Sequence, residues 1–243
     1  MKLYWSLFYK KFSNKELLQD FNNPIREYEN EMIDGVIVDI GCGQSLFLLD
    51  FAKTDRKIIA IDNEQFQLDF LKKRVESDYF DKIENWDFLN KNFPHDDLPN
   101  ENYSLIILSN LLHFFTLEEC FEVGKLISKI SSKGTLIYIK VHSDKYYKNN
   151  PQDPNKNDYF RHYFSTTDLD TIFPTSLFER IYCAEIEKTD SKTAIKFTEE
   201  WIDECFKVYN ITDINKIENT KRGFLNNNKE SNIEVIFRKT QTL

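Results

Sequence analysis

The chain has 243 residues, including 21 Phe, 12 Tyr and 3 Trp, enough apolar surface for one sizeable α/β core. Its formal net charge of −8 argues against a nucleic-acid backbone or an anionic membrane surface as the main partner, since both require clustered Lys and Arg. Cys42, Cys120, Cys183 and Cys205 show neither CxxC nor CxxH spacing, so no disulfide framework or zinc site is expected, and nothing else calls for a metal.

The apolar stretch at residues 3–9 is too short to span a bilayer, and Lys10-Lys11 follows where a small-residue cleavage site would be needed. A soluble, cytoplasmic protein is expected, with no membrane partner. Residues 1–34 read as a helical segment. Within it Ser13 and Glu16 form a capping box, and Phe12 and Leu17 are placed for the hydrophobic staple. A strand at 36–40 ends in Gly41-Cys42-Gly43 and is followed by a helix over 45–52. A second strand, 57–62, leads into a helix with Leu68, Leu71 and Val75 at helical spacing. A weaker strand is predicted at 83–86 and a strong one at 105–108. Thr116 and Glu119 form a second capping box, opening a helix that runs to about residue 130, before a strand at 135–141.

This alternation predicts βαβ units and a Rossmann-like, mostly parallel sheet with helices on both faces. Beyond it lies a polar loop, then a short helix capped by Ser165. Strands at 178–187 and 233–238 are read as an antiparallel pair at one sheet edge, which brings the sheet to seven strands. The insertion between them, 189–231, contains a helix near 199–208, and the Asn226-Asn227-Asn228 run reads as a solvated loop. The whole chain is taken as one domain. The insertion would widen a cover or form a homodimer contact, and its residues do not decide which.

The chemistry-bearing stretch is Val36 to Ser45. Gly41 and Gly43 lack a Cβ, so backbone can approach a ligand there, although two glycines also merely permit a tight βα turn. Asp62 ends the second strand about twenty residues later, where a carboxylate can accept from ribose hydroxyls. Asp39 lies in an apolar strand end, where a carboxylate is costly unless something pairs with it, and a ligand ammonium would serve. Asp87 is placed to accept from an adenine amino group with Phe88 against the ring, or to be a surface turn residue.

In order, Val38-Asp39-Ile40-Gly41-Cys42-Gly43, then Ile59-Ala60-Ile61-Asp62, then Trp86-Asp87-Phe88, then residues 106–114 ending in His113-Phe114 resemble the motif series of the class I S-adenosylmethionine-dependent methyltransferases. The resemblance covers residues 30–142. It implies S-adenosyl-L-methionine as cofactor and a methyl-transfer enzyme. Asp39 with Gly41, Cys42 and Gly43 would hold the methionine part, Asp62 the ribose, and Asp87 with Phe88 the adenine, with Asn63 also among the cofactor contacts. The Ser109 to His113 segment would border the transferred methyl, with Ser109 and Asn110 contacting the cofactor and His113 as the candidate base. More loosely, Tyr4-Trp5 and residues 162–169 resemble small-molecule and tellurite-resistance-type members. Two departures stand out. Ser45 replaces the usual third glycine, and no Asn-Pro-Pro-Tyr motif follows the fourth strand, which argues against methylation of DNA bases.

Residues 144–164 are expected to cover a small-molecule substrate, with Tyr147, Arg161 and His162 among its contacts, or to be a surface loop anchored by aromatics. Three other readings compete. A nicotinamide-dependent dehydrogenase is disfavoured by the missing third glycine. A non-catalytic cofactor-binding module is kept open by that same change. A protein or RNA methyltransferase lacks a basic stripe to support it.

Overall fold

The computed structural model describes residues 2–13, 16, 18, 21–149, 159–189, 191–225 and 229–241. Leu17 of the expected staple, the middle of the polar loop and the Asn226-Asn227-Asn228 run lie outside the described residues.

The described residues build one seven-stranded sheet in the order β3-β2-β1-β4-β5-β7-β6. Strands β1 (Val36–Ile40), β2 (Ile58–Asp62), β3 (Trp86–Asn90), β4 (Tyr103–Ser109) and β5 (Leu136–His142) run parallel. The long strands β6 (Phe178–Thr189) and β7 (Lys229–Lys239) pair antiparallel with each other, and β7 runs antiparallel to β5. The chain builds outward from β1 to β3, then returns to place β4 on the other side of β1. Ligands of open α/β sheets bind at such a switch point, beyond the carboxyl ends of the strands. β1, β2 and most of β4 are buried along their length, which is why they read as continuous apolar runs rather than alternating ones.

Two apolar layers sandwich the sheet. On one face Val38, Ile40, Ile59, Ile61 and Ile106 pack under α4 (Leu117–Ile130) and α5 (Thr166–Ile172). On the other, Ile37, Ile58, Ala60 and Ile107 pack under α2 (Leu46–Asp50) and α3 (Gln65–Asp78). Both α4 and α5 begin with complete capping boxes, Thr116 with Glu119 and Ser165 with Asp168. Thr116→Ala is expected to lower stability by about 1 kcal/mol, because it leaves the Glu119 amide without its partner; thermal or urea denaturation measures this directly.

The third strand is displaced from its expected place. Residues Phe80–Asn85 form 3₁₀ turns that take Ile83 out of the sheet, so the strand begins at Trp86 instead of ending there. The insertion between β6 and β7 supplies two helices, α6 (Lys192–Val208) and α7 (Ile214–Leu225). α6 packs on the N-terminal helix α1 (Lys2–Lys11), where Tyr4 meets Phe197 and Trp201 edge-on at 5.1 and 5.3 Å. Lys2 reaches over Phe66, bringing α1 to the start of α3 beside the carboxyl end of β2. Among the described residues no helix is long and apolar enough to cross a membrane.

Candidate functional site

At the carboxyl end of β1 the chain turns through Gly41 (φ 70°) and Gly43 (φ 49°), left-handed conformations that disfavour any side chain. The two glycines differ in their surroundings. A Cβ on Gly41 would lie 2.8 Å from Leu111 of the β4 exit, whereas one on Gly43 would meet nothing within 4 Å. Gly41 therefore admits a neighbouring side chain, and Gly43 leaves open space. Cys42 between them turns into the core: it is buried, burial pushes its thiol well above the usual range, and it offers the site only its backbone.

Ser45 occupies the third-glycine position and has two partners. Its hydroxyl oxygen accepts from the Leu48 amide at 3.0 Å, capping α2, and its hydroxyl proton is donated to Asp39 Oδ2. Asp39 is 1 % exposed, and its other oxygen, Oδ1, has no hydrogen-bond partner. Burial pushes its carboxyl up to about 8; the Ser45 bond opposes this and the nearby Asp62 charge adds to it. Asp62 braces two turns at once, with Oδ2 accepting from the Gly43 amide and Oδ1 from the Glu64 amide, each at 2.8 Å. Its carboxyl is raised, mainly by burial, against the lowering effect of those amides. Among the described residues no Lys or Arg forms an ion pair with Asp39 or Asp62, so two neighbouring carboxylates stand without a cation.

Asn90 lies directly across from Asp62 in the β2–β3 register, and its side-chain amide donates to the carbonyls of Asp62 and Asn63 at 3.3 and 3.0 Å. On the other side of β1, Asn110 leaves β4 with φ 55°, its amide donating to the Lys140 carbonyl at 2.8 Å. That turn sends Leu111 onto Gly41, so the glycine loop and the Ser109-Asn110 segment are in contact through one side chain.

His113 follows in a 3₁₀ turn, fully buried, with neither ring nitrogen hydrogen-bonded. Its ring stacks on His142 at 4.1 Å, and His142 stacks in turn on Tyr146 at 4.5 Å. Phe160 stands edge-on to both imidazoles, at 4.9 and 4.5 Å. Burial holds the His113 imidazole well below its usual range, with His142 adding to the effect, so it is neutral near pH 7. Burial also lowers His142, whose Nδ1 is 2.8 Å from Asn232 Oδ1. The described ends of the 144–164 segment are tied to this stack: the Arg161 amide donates to the His113 carbonyl and the Phe164 amide to that of His142.

The structure thus brings together Asp39, Gly41, Gly43, Asp62, Asn63, Ser109, Asn110 and His113, with Tyr147 at the outer end of the aromatic stack. Two expectations are corrected. Asp87 lies toward the opposite end of the sheet, in register with Ile59, with its carboxylate 3.0 Å from Lys57 Nζ. Phe88 packs parallel to Trp86, with centroids 5.6 Å apart, in the apolar layer under α2 and α3. Both follow from the strand starting three residues later than its expected start. The Arg161 guanidinium lies 3.3 Å from Glu119 at the start of α4, and His162 faces Asp168 in the α5 capping box. Asn90 was missed; counting the strand forward to the polar Asn90-Lys91-Asn92 before Pro94 would have marked it.

Residues 37–134, the part of the chain that holds this turn and both carboxylates, match the family model for a methyltransferase domain. Similar solved structures include an S-adenosylmethionine-dependent methyltransferase from Methanosarcina mazei, 15% identical with a TM-score of 0.61, covering 91% of this chain and 99% of that one. TehB from Haemophilus influenzae is also 15% identical at 0.61, covering 93% and 67%. Coclaurine N-methyltransferase, bound to N-methylheliamine and S-adenosylhomocysteine, is 14% identical at 0.62, covering 98% and 85%. At these identities the likeness establishes the fold. Comparison with curated proteins gives no match. Asp39 Oδ1 is left without a partner, and a Cβ on Gly43 would point into open space, both at the carboxyl end of β1. Among the described residues no group of three or more His, Cys, Asp or Glu is placed to hold a metal ion.

Proposed function

We propose that this chain is an S-adenosylmethionine-dependent methyltransferase acting on a small-molecule acceptor, held between the carboxyl ends of β4 and β5 and the described ends of the 144–164 segment. The observation that carries the reading is the buried, unpartnered Asp39 oxygen beside the open turn at Gly43, at the switch point of the sheet. Asp39 would take the ammonium of S-adenosyl-L-methionine. The backbone of Gly41, Cys42 and Gly43 would lie along the methionine part, and Asp62, Asn63 and Asn90 would face the ribose and adenine. Ser109 and Asn110 would border the sulfonium. When bound, that cofactor supplies an already activated methyl group.

What remains for the chain is to align acceptor and methyl and to exclude water. The stack of His113, His142 and Tyr146, crossed by Phe160, is a dry wall suited to both tasks. A neutral, unpartnered His113 holds one ring-nitrogen lone pair that can take a proton from an acceptor that must lose one. A wall of this kind, in a chain of net charge −8, favours a small molecule over a nucleic acid.

The test is calorimetric titration of S-adenosylhomocysteine against NAD, followed by turnover of S-adenosylmethionine over a panel of small acceptors. Micromolar binding, about 8 kcal/mol, with no response to NAD is expected. Selective binding of NAD, or no binding of either, would overturn the reading.

A further inference from the structure

The outer end of the aromatic stack gathers three rings around one ammonium. Tyr146 and Tyr147 meet at 58° and Tyr146 and Phe160 at 67°, so the three rings face inward from different directions. The Lys148 ammonium lies over all three, 5.8, 5.8 and 5.7 Å from their centroids. Ring faces carry negative potential, and several of them around one point make a cation site. Lys148 is exposed and forms no ion pair among the described residues, so its charge can leave this position. Burial holds both Lys148 and His142 below their usual ranges, and the Glu230 carboxylate opposes this at both.

We infer that Tyr146, Tyr147 and Phe160 form a cage for a cationic amine acceptor, and that Lys148 fills the cage as a tethered stand-in until the acceptor displaces it. This rests on the methyltransferase reading and narrows its substrate class. The chemistry is consistent with such a wall. The acceptor nitrogen's lone pair forms the new C–N bond as the C–S bond breaks, and the departing pair stays on sulfur. One positive charge exists before and after, first on sulfur and then on nitrogen. An acceptor that arrives protonated must first give up an N–H proton to solvent, which leaves the imidazoles neutral. Neutral rings attract the charge at both stages, and neutral imidazoles do not repel it.

The experiment uses the full chain saturated with S-adenosylhomocysteine and compares choline with its neutral isostere 3,3-dimethylbutan-1-ol by ligand-observed NMR titration. Choline is expected to bind at least fivefold more tightly than the isostere. Lys148→Met should tighten choline threefold or more by removing the tethered competitor. Phe160→Leu and Tyr147→Leu, which keep apolar bulk without a ring face, should each weaken it fivefold or more; Tyr147 is half-buried, so its variant serves if Phe160→Leu does not fold. Equal binding of the two probes, or no choline binding even in Lys148→Met, overturns the inference. If S-adenosylhomocysteine binds while choline shows no preference, only the acceptor class falls. If S-adenosylhomocysteine itself does not bind, the methyltransferase site reading falls.

Discussion

Asp62→Ala is expected to weaken S-adenosylhomocysteine binding tenfold or more and to lower the stability of the free protein by about 2 kcal/mol, roughly the worth of a charge-assisted hydrogen bond to a backbone amide. The carboxylate joins the glycine turn to the turn that opens α3, through the amides of Gly43 and Glu64. Alanine leaves both amides without this acceptor and frees the loop that faces the ligand. Asp62→Asn separates bracing from ligand contact: its single carbonyl oxygen serves one amide, while its NH₂ group opposes the other. An intermediate loss of stability is therefore expected for Asn, together with a loss of affinity. Calorimetric titration beside thermal denaturation measures both quantities. A variant that melts lower but binds the ligand unchanged would reduce Asp62 to a brace and remove it from the ribose assignment.

The parts of this site legible in the sequence are those whose partners are close along the chain. The glycine turn, the terminal Asp of β2 and the capping boxes at Thr116 and Ser165 each depend on residues a few positions apart or on strand periodicity. Ser45 was half legible: its cap to Leu48 is local, but its bond to Asp39 depends on how the turn folds back on β1. The aromatic stack could not be read, because His113, His142, Tyr146 and Phe160 come from separate elements that meet only once β4 and β5 are side by side. Asp87 was misplaced for a different reason. Ile83 and Trp86 offer similar apolar signals on either side of a 3₁₀ turn, and sequence alone does not say which one begins the strand. Helix α7 went unseen because its sequence is mostly polar, with Gly223 near its end and Ile214 at its start 70 % exposed.

Asp39→Asn is expected to have opposite effects on the free and the liganded protein. In the free protein the carboxyl is held near 8 by burial, against 3.8 for an unperturbed Asp. Between those values the folded state keeps a proton that the unfolded state gives up. The stabilising contribution of this group is thus complete below about pH 4 and is lost as the pH rises toward 8, at about 1.4 kcal/mol per pH unit at most. Asn has no proton to lose, so the variant should lack this slope and melt at a higher temperature than the wild type at pH 8 and above. Binding runs the other way. A ligand ammonium favours the ionised carboxylate, so below pH 8 it must expel the Asp39 proton as it binds. Wild-type affinity for S-adenosylhomocysteine should then fall by up to about tenfold for each pH unit below 8. Close to one proton should be released per ligand bound at pH 6.5, measurable by calorimetry in buffers of different ionisation enthalpy. Asp39→Asn should bind at least tenfold more weakly at pH 8 and release no such proton, which also separates Asp39 from the neighbouring raised carboxyl of Asp62. Equal affinity of variant and wild type, with no proton release in either, would mean that the unpartnered oxygen does not meet the ligand ammonium.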